Sequence, residues 1–168
     1  ELFRWQKAGG AANKVVFSGV GKSEDEMRLA ITAGIDMFNV ESAEEMTALG
    51  AVARSLKTTV KVALRVNPDV DPQTHPYIST GLKGDKFGIP HDQALADYVQ
   101  AAAMPGIEVV GIDCHIGSQI TQIEPFVDAL DRLLDLVDAV EAKGIRLHHI
   151  DVGGGLGIVY TNEQPPQA

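Results

Sequence analysis

The sequence predicts an α/β fold in which a parallel sheet is covered by helices, and three observations predict it. Short apolar or β-branched runs alternate with helical patterns along the 168 residues, giving five strand candidates. Those runs, such as "VKVALRV" (60–66), are almost continuously apolar, as strands buried on both faces are. The unusual polar residues and glycines follow several different strands: Asn39, Glu41 and Ser42 the second, Asn67 the third, His115 and Ser118 the fourth, and glycines 153–155 the fifth. Two architectures fit, an open doubly wound sheet or part of an eightfold β/α barrel. A doubly wound sheet concentrates its site at one crevice, whereas barrel enzymes assemble theirs from many strand ends. The spread therefore favours a partial (β/α)8 barrel with about five of its strands present.

Each element has its own signal. "ELFRWQKA" reads as the later part of a helix, with Leu2, Trp5 and Ala8 near helical spacing. "KVVFS" (14–18) is the first strand, and Ser23 with Glu26 makes a capping box for a helix from Glu24 to Ala33 that Gly34 closes. "DMFNV" (36–40) is the second strand, and Ser42 with Glu45 repeats the box before a helix to Leu56. "VKVALRV" is the third. A long loop, 67–90, then carries four of the eight prolines before a helix from His91 to Ala103. "IEVVGID" (107–113) is the fourth strand. Thr121 with Glu124 makes a third capping box, with Pro125 in the first turn, for a helix whose Phe126, Val127, Leu130, Leu133, Leu134, Val137 and Val140 form one apolar face. "RLHHIDV" (146–152) is the fifth strand and delivers the glycines.

Composition limits what such a domain does. At 45% hydrophobic residues the chain is long enough for one domain with a sizeable core. A net charge of −9 and a pI near 4.9 argue against nucleic acid or an anionic membrane as partner and point to small molecules or protein. Cys114 is the only cysteine, so an intrachain disulfide is excluded and a reducing, cytoplasmic setting fits. No apolar run approaches the roughly 20 residues of a spanning helix. Glu1 in place of methionine and the polar "TNEQPPQA" at the other end lead to the expectation of an internal piece of a longer protein.

The residues that could carry chemistry lie at strand ends. In "HIDVGGGLGIVY" (149–160), glycines at the carboxyl end of a parallel strand leave N–H groups bare and let an anion approach. A tight turn explains them as well. Neither a Gly-Lys-Ser/Thr sequence nor G-x-G-x-x-G spacing follows, so they are not a nucleotide loop or a dinucleotide fingerprint. In "CHIGSQ" (114–119), His115 and Ser118 flank Gly117, as a ligand contact or as a hydrogen-bonded structural residue. His148 and His149 are adjacent and point to opposite faces of their strand, which argues against a shared metal. Cys114 reads as a small core residue. Arg65, near a strand end, and Lys86, in "KFGI", suit either an anion or an internal carboxylate.

In this order, "VFSGVGKSEDEM", "FNVES", "RVNPD", "HPYISTGLKGDKFGI", "CHIGSQ" and "DVGGGLGI" resemble the diaminopimelate decarboxylases. That family belongs to the barrel-type pyridoxal-phosphate enzymes, which also hold alanine racemase and ornithine decarboxylase. The resemblance runs from about Val15 to Tyr160. It implies pyridoxal 5'-phosphate as cofactor, with His115 stacked on the pyridine ring, Ser118 and the backbone of Gly154 and Gly155 at the phosphate, and Arg65 and Lys86 around the ring. It also implies decarboxylation of meso-2,6-diaminopimelate to L-lysine by an intact homodimer, residues 1–168 being part of its N-terminal cofactor-binding barrel. The family's cofactor-bearing lysine lies in a Y-A-x-K-A-N motif that these residues lack, so the expectation is a piece with no catalytic residue of its own and no activity alone. The first barrel strand and a C-terminal β-domain are expected outside it. Decarboxylases of ornithine, arginine, lysine or carboxynorspermidine share the same barrel logic, and a non-catalytic pyridoxal-phosphate carrier would share the barrel without the second domain.

Overall fold

A computed structural model describes residues 1–70, 87–160, 162 and 164. Among the described residues six strands and five α-helices follow in the order α1 (Leu2–Lys7), β1 (Val16–Phe17), α2 (Glu24–Ala33), β2 (Met37–Val40), α3 (Ala43–Ser55), β3 (Val60–Asn67), β4 (Ile89–Pro90), α4 (His91–Ala102), β5 (Ile107–Asp113), α5 (Glu124–Glu141) and β6 (His149–Asp151), with a short 3-10 helix at Ala12–Lys14. All pairings are parallel, in the order β1-β2-β3-β5-β6, with the two-residue β4 beside the end of β3. The parallel sheet and its helices agree with the expected half-barrel. The short β4 is additional, and most of the long loop that precedes it (71–86, including Lys86) lies outside the described residues.

Side chains alternate between two layers. Phe38 and Val40 of β2, Val62, Leu64 and Val66 of β3, and Ile112 of β5 pack outward under Leu49, Tyr98, Leu133 and Val140 of the helices. Met37, Ala63 and Val110 form a smaller cluster on the concave side. A register shift between Val62 and Ala63 opposes Val62 to Val109 but Ala63 to Gly111, so β5 carries one extra residue at its middle. The buried Tyr98 hydroxyl donates to the Gly111 carbonyl at this point (2.9 Å).

Curvature is visible in one long-range bond. Asn39 Nδ2 of β2 donates to Asp151 Oδ2 of β6 at 3.0 Å. Those strands stand three places apart, roughly 14 Å in a flat sheet at about 4.8 Å per strand. A direct bond between short side chains requires the sheet to curl, as it does in a barrel and does not in an open doubly wound fold.

Helix starts differ from expectation in instructive ways. Ser23 and Glu26 form the full capping box of α2. Ser42 caps α3 by accepting from Glu45 N–H (3.1 Å), but the Glu45 carboxylate turns away to Lys22 (2.7 Å), leaving half a box. The box expected at Thr121 and Glu124 does not form: α5 starts at Glu124 with Ile123 as N-cap and no side-chain cap. Ile120 is drawn into a bridge with Leu156, and this holds Thr121 two residues before the cap position. The last strand is shorter than the apolar run, His149–Asp151 rather than 146–152.

Candidate active site

Parallel strands place their carboxyl ends together, and here those ends surround one cleft. Ser18 and Gly19 follow β1, Arg65 and Asp113 come from β3 and β5, His115 follows β5, and Asp151, Gly153 and Gly154 come from β6 and the turn after it. The cleft is about 480 Å³ in volume, within the range of small-molecule sites.

The β1 and β2 ends are pinned by Lys22. Its buried ammonium donates to the carbonyls of Gly19 (2.6 Å) and Asn39 (2.7 Å) and pairs with Glu45 (2.7 Å), so all three protons are used. The Asn39 amide spans the floor, donating to Ser18 Oγ (2.8 Å) and Asp151 Oδ2 (3.0 Å). Asp151 Oδ1 accepts from Gly153 N–H (2.8 Å), so this carboxylate sets the first residue of the glycine turn.

The floor is rich in carboxylates. Glu41 pairs with Arg65 (2.9 Å), both largely buried, and Arg65 also lies over the Phe87 ring. Asp113 is 4% exposed. Burial first and the Asp151 charge second raise its carboxyl pKa to about 7, against the opposing pull of Arg65. Burial likewise pushes the Cys114 thiol up to about 12, which suits the inert core residue expected from the sequence. Burial, helped by Arg65, lowers the His115 pKa, so the half-buried ring is neutral near pH 7. Its Nδ1 accepts from Gly154 N–H (3.3 Å), which leaves the proton on Nε2.

The turn after β6 has the geometry of a cradle. Gly153 (φ 71) and Gly155 (φ 97) occupy the left-handed region. A Cβ on Gly153 would strike the Cys114 carbonyl and the His115 ring, and one on Gly155 would overlap the Gly117 carbonyl beside Ser118. Gly154, between them, faces open space. Two buried acceptors, Asn39 Oδ1 and Glu41 Oε2, have no donor among the described residues. A glycine turn with open space at Gly154, a neutral imidazole and two buried acceptors without a donor fit a flat ligand that carries an anionic tail at one end and a donor at the other.

Of the residues expected from the sequence, Arg65, His115 and Gly154 line this cleft, and Gly155 and Ser118 adjoin it through the packed turns. Lys86 lies outside the described residues. In the sequence Asn39 and Glu41 stand out only as unusual strand-end residues, and no motif of their own marks Ser18, Lys22, Asp113 or Asp151 for a site. Their signal was an ionisable or polar side chain interrupting or directly following an apolar strand, as in "VVGIDC" and "HHIDV".

The family model for the pyridoxal-binding domain of pyridoxal-dependent decarboxylases matches residues 1–168. A diaminopimelate decarboxylase of Pseudomonas aeruginosa is 60% identical over 168 residues, which is 100% of this chain and 40% of that protein. One of Vibrio cholerae is 56% identical over 167 residues, 99% of this chain and again 40% of the relative. The crystal structure of diaminopimelate decarboxylase from Helicobacter pylori complexed with L-lysine superposes with a TM-score of 0.95 at 40% identity, over 99% of this chain and 42% of that one. This chain thus spans about 40% of the length of the curated relatives it matches. Matched over its whole length, the chain belongs to the pyridoxal-dependent decarboxylase family, in its pyridoxal-binding domain.

Proposed function

We propose that this chain is part of the N-terminal cofactor-binding barrel of a longer protein, completed by a first strand and a C-terminal β-domain, that decarboxylates meso-2,6-diaminopimelate to L-lysine. The observation that carries the cofactor reading is the pair His115 and Gly154: a neutral imidazole oriented by the N–H of a glycine whose other side is open. Relatives named diaminopimelate decarboxylase, 60% and 56% identical over essentially the whole chain, support the substrate. So does a neighbouring structure that holds L-lysine.

In this reading the His115 ring lies against the pyridine ring, Ser118 and the backbone of Gly154 and Gly155 take the phosphate, and Arg65 stands beside the ring, held by Glu41. Lys86 joins them on the family resemblance alone. Bound pyridoxal phosphate supplies an aldehyde for the substrate's amino group and a ring that accepts the electron pair released as carbon dioxide leaves. The chain's own residues orient and tune. A neutral His115 offers a flat face without a second cation beside Arg65, and the Asp113 carboxyl, with its pKa raised to about 7, carries a proton part of the time near neutrality.

No lysine lines the cleft among the described residues, and Lys22, the buried one nearby, has all three protons committed. On the family resemblance, whose cofactor-bearing lysine sits in a motif that these 168 residues lack, we expect the piece alone to be inactive. We further read that protein as a cytoplasmic homodimer that takes an amino-acid substrate, a setting that the single buried thiol suits. Sedimentation of the full-length protein checks the dimer.

The test is carbon dioxide and L-lysine release by the full-length protein with pyridoxal phosphate, with meso-diaminopimelate, ornithine, arginine and lysine as separate substrates. The expected result is turnover of diaminopimelate alone. Turnover of another amino acid in its place overturns the substrate, and no cofactor-dependent release from any of them overturns the function.

A further inference from the structure

The turn after β6 depends on its neighbour for its shape. Three glycines in a row lose more backbone freedom on ordering than any other residues, and they bring no side chains to pack. Their order comes from the loop after β5, which runs alongside. Gly154 N–H meets His115 Nδ1, Ile120 N–H donates to Gly155 O (2.9 Å), and Gly157 N–H donates to Ile120 O (2.8 Å), with Ile120 and Leu156 forming a parallel bridge.

The last rung of this ladder is a side chain. Gln119 Oε1 accepts from Ile158 N–H (3.1 Å) and its Nε2 donates to Ile158 O. A primary carboxamide carries a donor and an acceptor in one plane, like the edge of a peptide group, so Gln119 pairs with Ile158 as a strand residue would. Its backbone makes this choice costly. Gln119 sits at φ 56, where glycine is the natural occupant and a side chain costs about 1 kcal/mol or more. A glutamine kept there signals a contact that offsets the cost.

We propose that Gln119 is a positioning residue for the cofactor phosphate. Its carboxamide holds residues 153–158 in the form in which the backbone at Gly155 receives the phosphate, acting through Ile158 and the Ile120 ladder rather than by touching the ligand. This rests on the reading that the glycine turn takes the phosphate of pyridoxal phosphate. It leads to a discriminating expectation: loss of the carboxamide weakens binding of the phosphorylated cofactor and leaves its unphosphorylated counterpart alone.

The experiment uses the full-length protein freed of cofactor. Equilibrium dialysis measures the Kd for pyridoxal 5'-phosphate and, separately, for pyridoxal, in the wild type, Gln119→Leu, Gln119→Glu and Gln119→Gly. Leu removes both bonds, Glu is nearly isosteric but replaces the donor by an acceptor facing Ile158 O, and Gly relieves the backbone while losing the amide. The proposal expects each variant to raise the pyridoxal phosphate Kd about tenfold or more with the pyridoxal Kd within about twofold of wild type. Wild-type phosphate-ester affinity in the isosteric Glu variant overturns it, as does an equal loss for both ligands, which is general damage to the cleft. A wild type that does not prefer pyridoxal phosphate over pyridoxal overturns the underlying reading of the turn instead, so the two failures are distinguishable. Should the Leu variant not fold, the Gly variant, which loses the amide and adds no charge beside the phosphate, decides.

Discussion

Gly154 and Gly155 are adjacent and make opposite demands on a side chain. Gly155 combines φ 97 with a Cβ position that overlaps the Gly117 carbonyl, so Gly155→Ala is expected to cost about 3 kcal/mol or more, read from unfolding of the full-length protein. At Gly154 a methyl meets nothing within 4 Å, so Gly154→Ala keeps its stability and loses cofactor affinity, because the methyl takes the open space beside the turn. Asp113 gives a pH-dependent prediction. Its pKa rises from the ordinary 3.8 to about 7 on folding, so its ionisation costs the folded state nothing below pH 4, progressively more between about 4 and 7, and most above 7. The thermal midpoint of Asp113→Asn, taken relative to wild type, should therefore be higher at pH 8 than at pH 5; a pH-independent difference contradicts the assignment. The glycines were legible because a run without side chains has few structural uses. Asp113 was not, because two-residue alternation from Ile107 and Val109, which pack under the helices, would put it outside. The extra residue in the middle of β5 resets that alternation and turns Asp113 into the cleft.

Among the elements, helix starts separate sequence pattern from tertiary context. Ser23→Ala removes a real N-cap and should destabilise by about 1 kcal/mol, whereas Thr121→Ala, at an unformed box, should stay within about 0.5 kcal/mol of wild type. Thermal unfolding of the two variants side by side checks the contrast, and equal losses would contradict it. Both positions carry the same Ser/Thr-x-x-Glu signal. What differs is the chain just before the helix: the β1–α2 loop leaves Ser23 free to cap, while the Ile120–Leu156 bridge fixes where α5 begins. Strand–helix alternation was legible, β4 apart, because it is written in residue periodicity. The true length of β6 was not, since pairing with only three residues of β5 sets it.

For the whole molecule, the spread of polar residues over several strand ends pointed to a barrel, and the Asn39–Asp151 bond gives the physical confirmation through curvature. The same sheet leaves β1 and β6 as outer strands among the described residues, with Val16, Ile150 and Val152 exposed along them. The isolated 168-residue chain is therefore expected to self-associate at micromolar concentration, which light scattering measures and a clean monomer would contradict. The proposed function requires the turns after β5 and β6 to hold pyridoxal phosphate. A crystal structure of the full-length protein with the cofactor tests it most directly. The phosphate is expected within hydrogen-bond distance of the Gly154 or Gly155 N–H and the pyridine ring against His115. A phosphate bound away from residues 153–157, or a ring that does not touch His115, would contradict it.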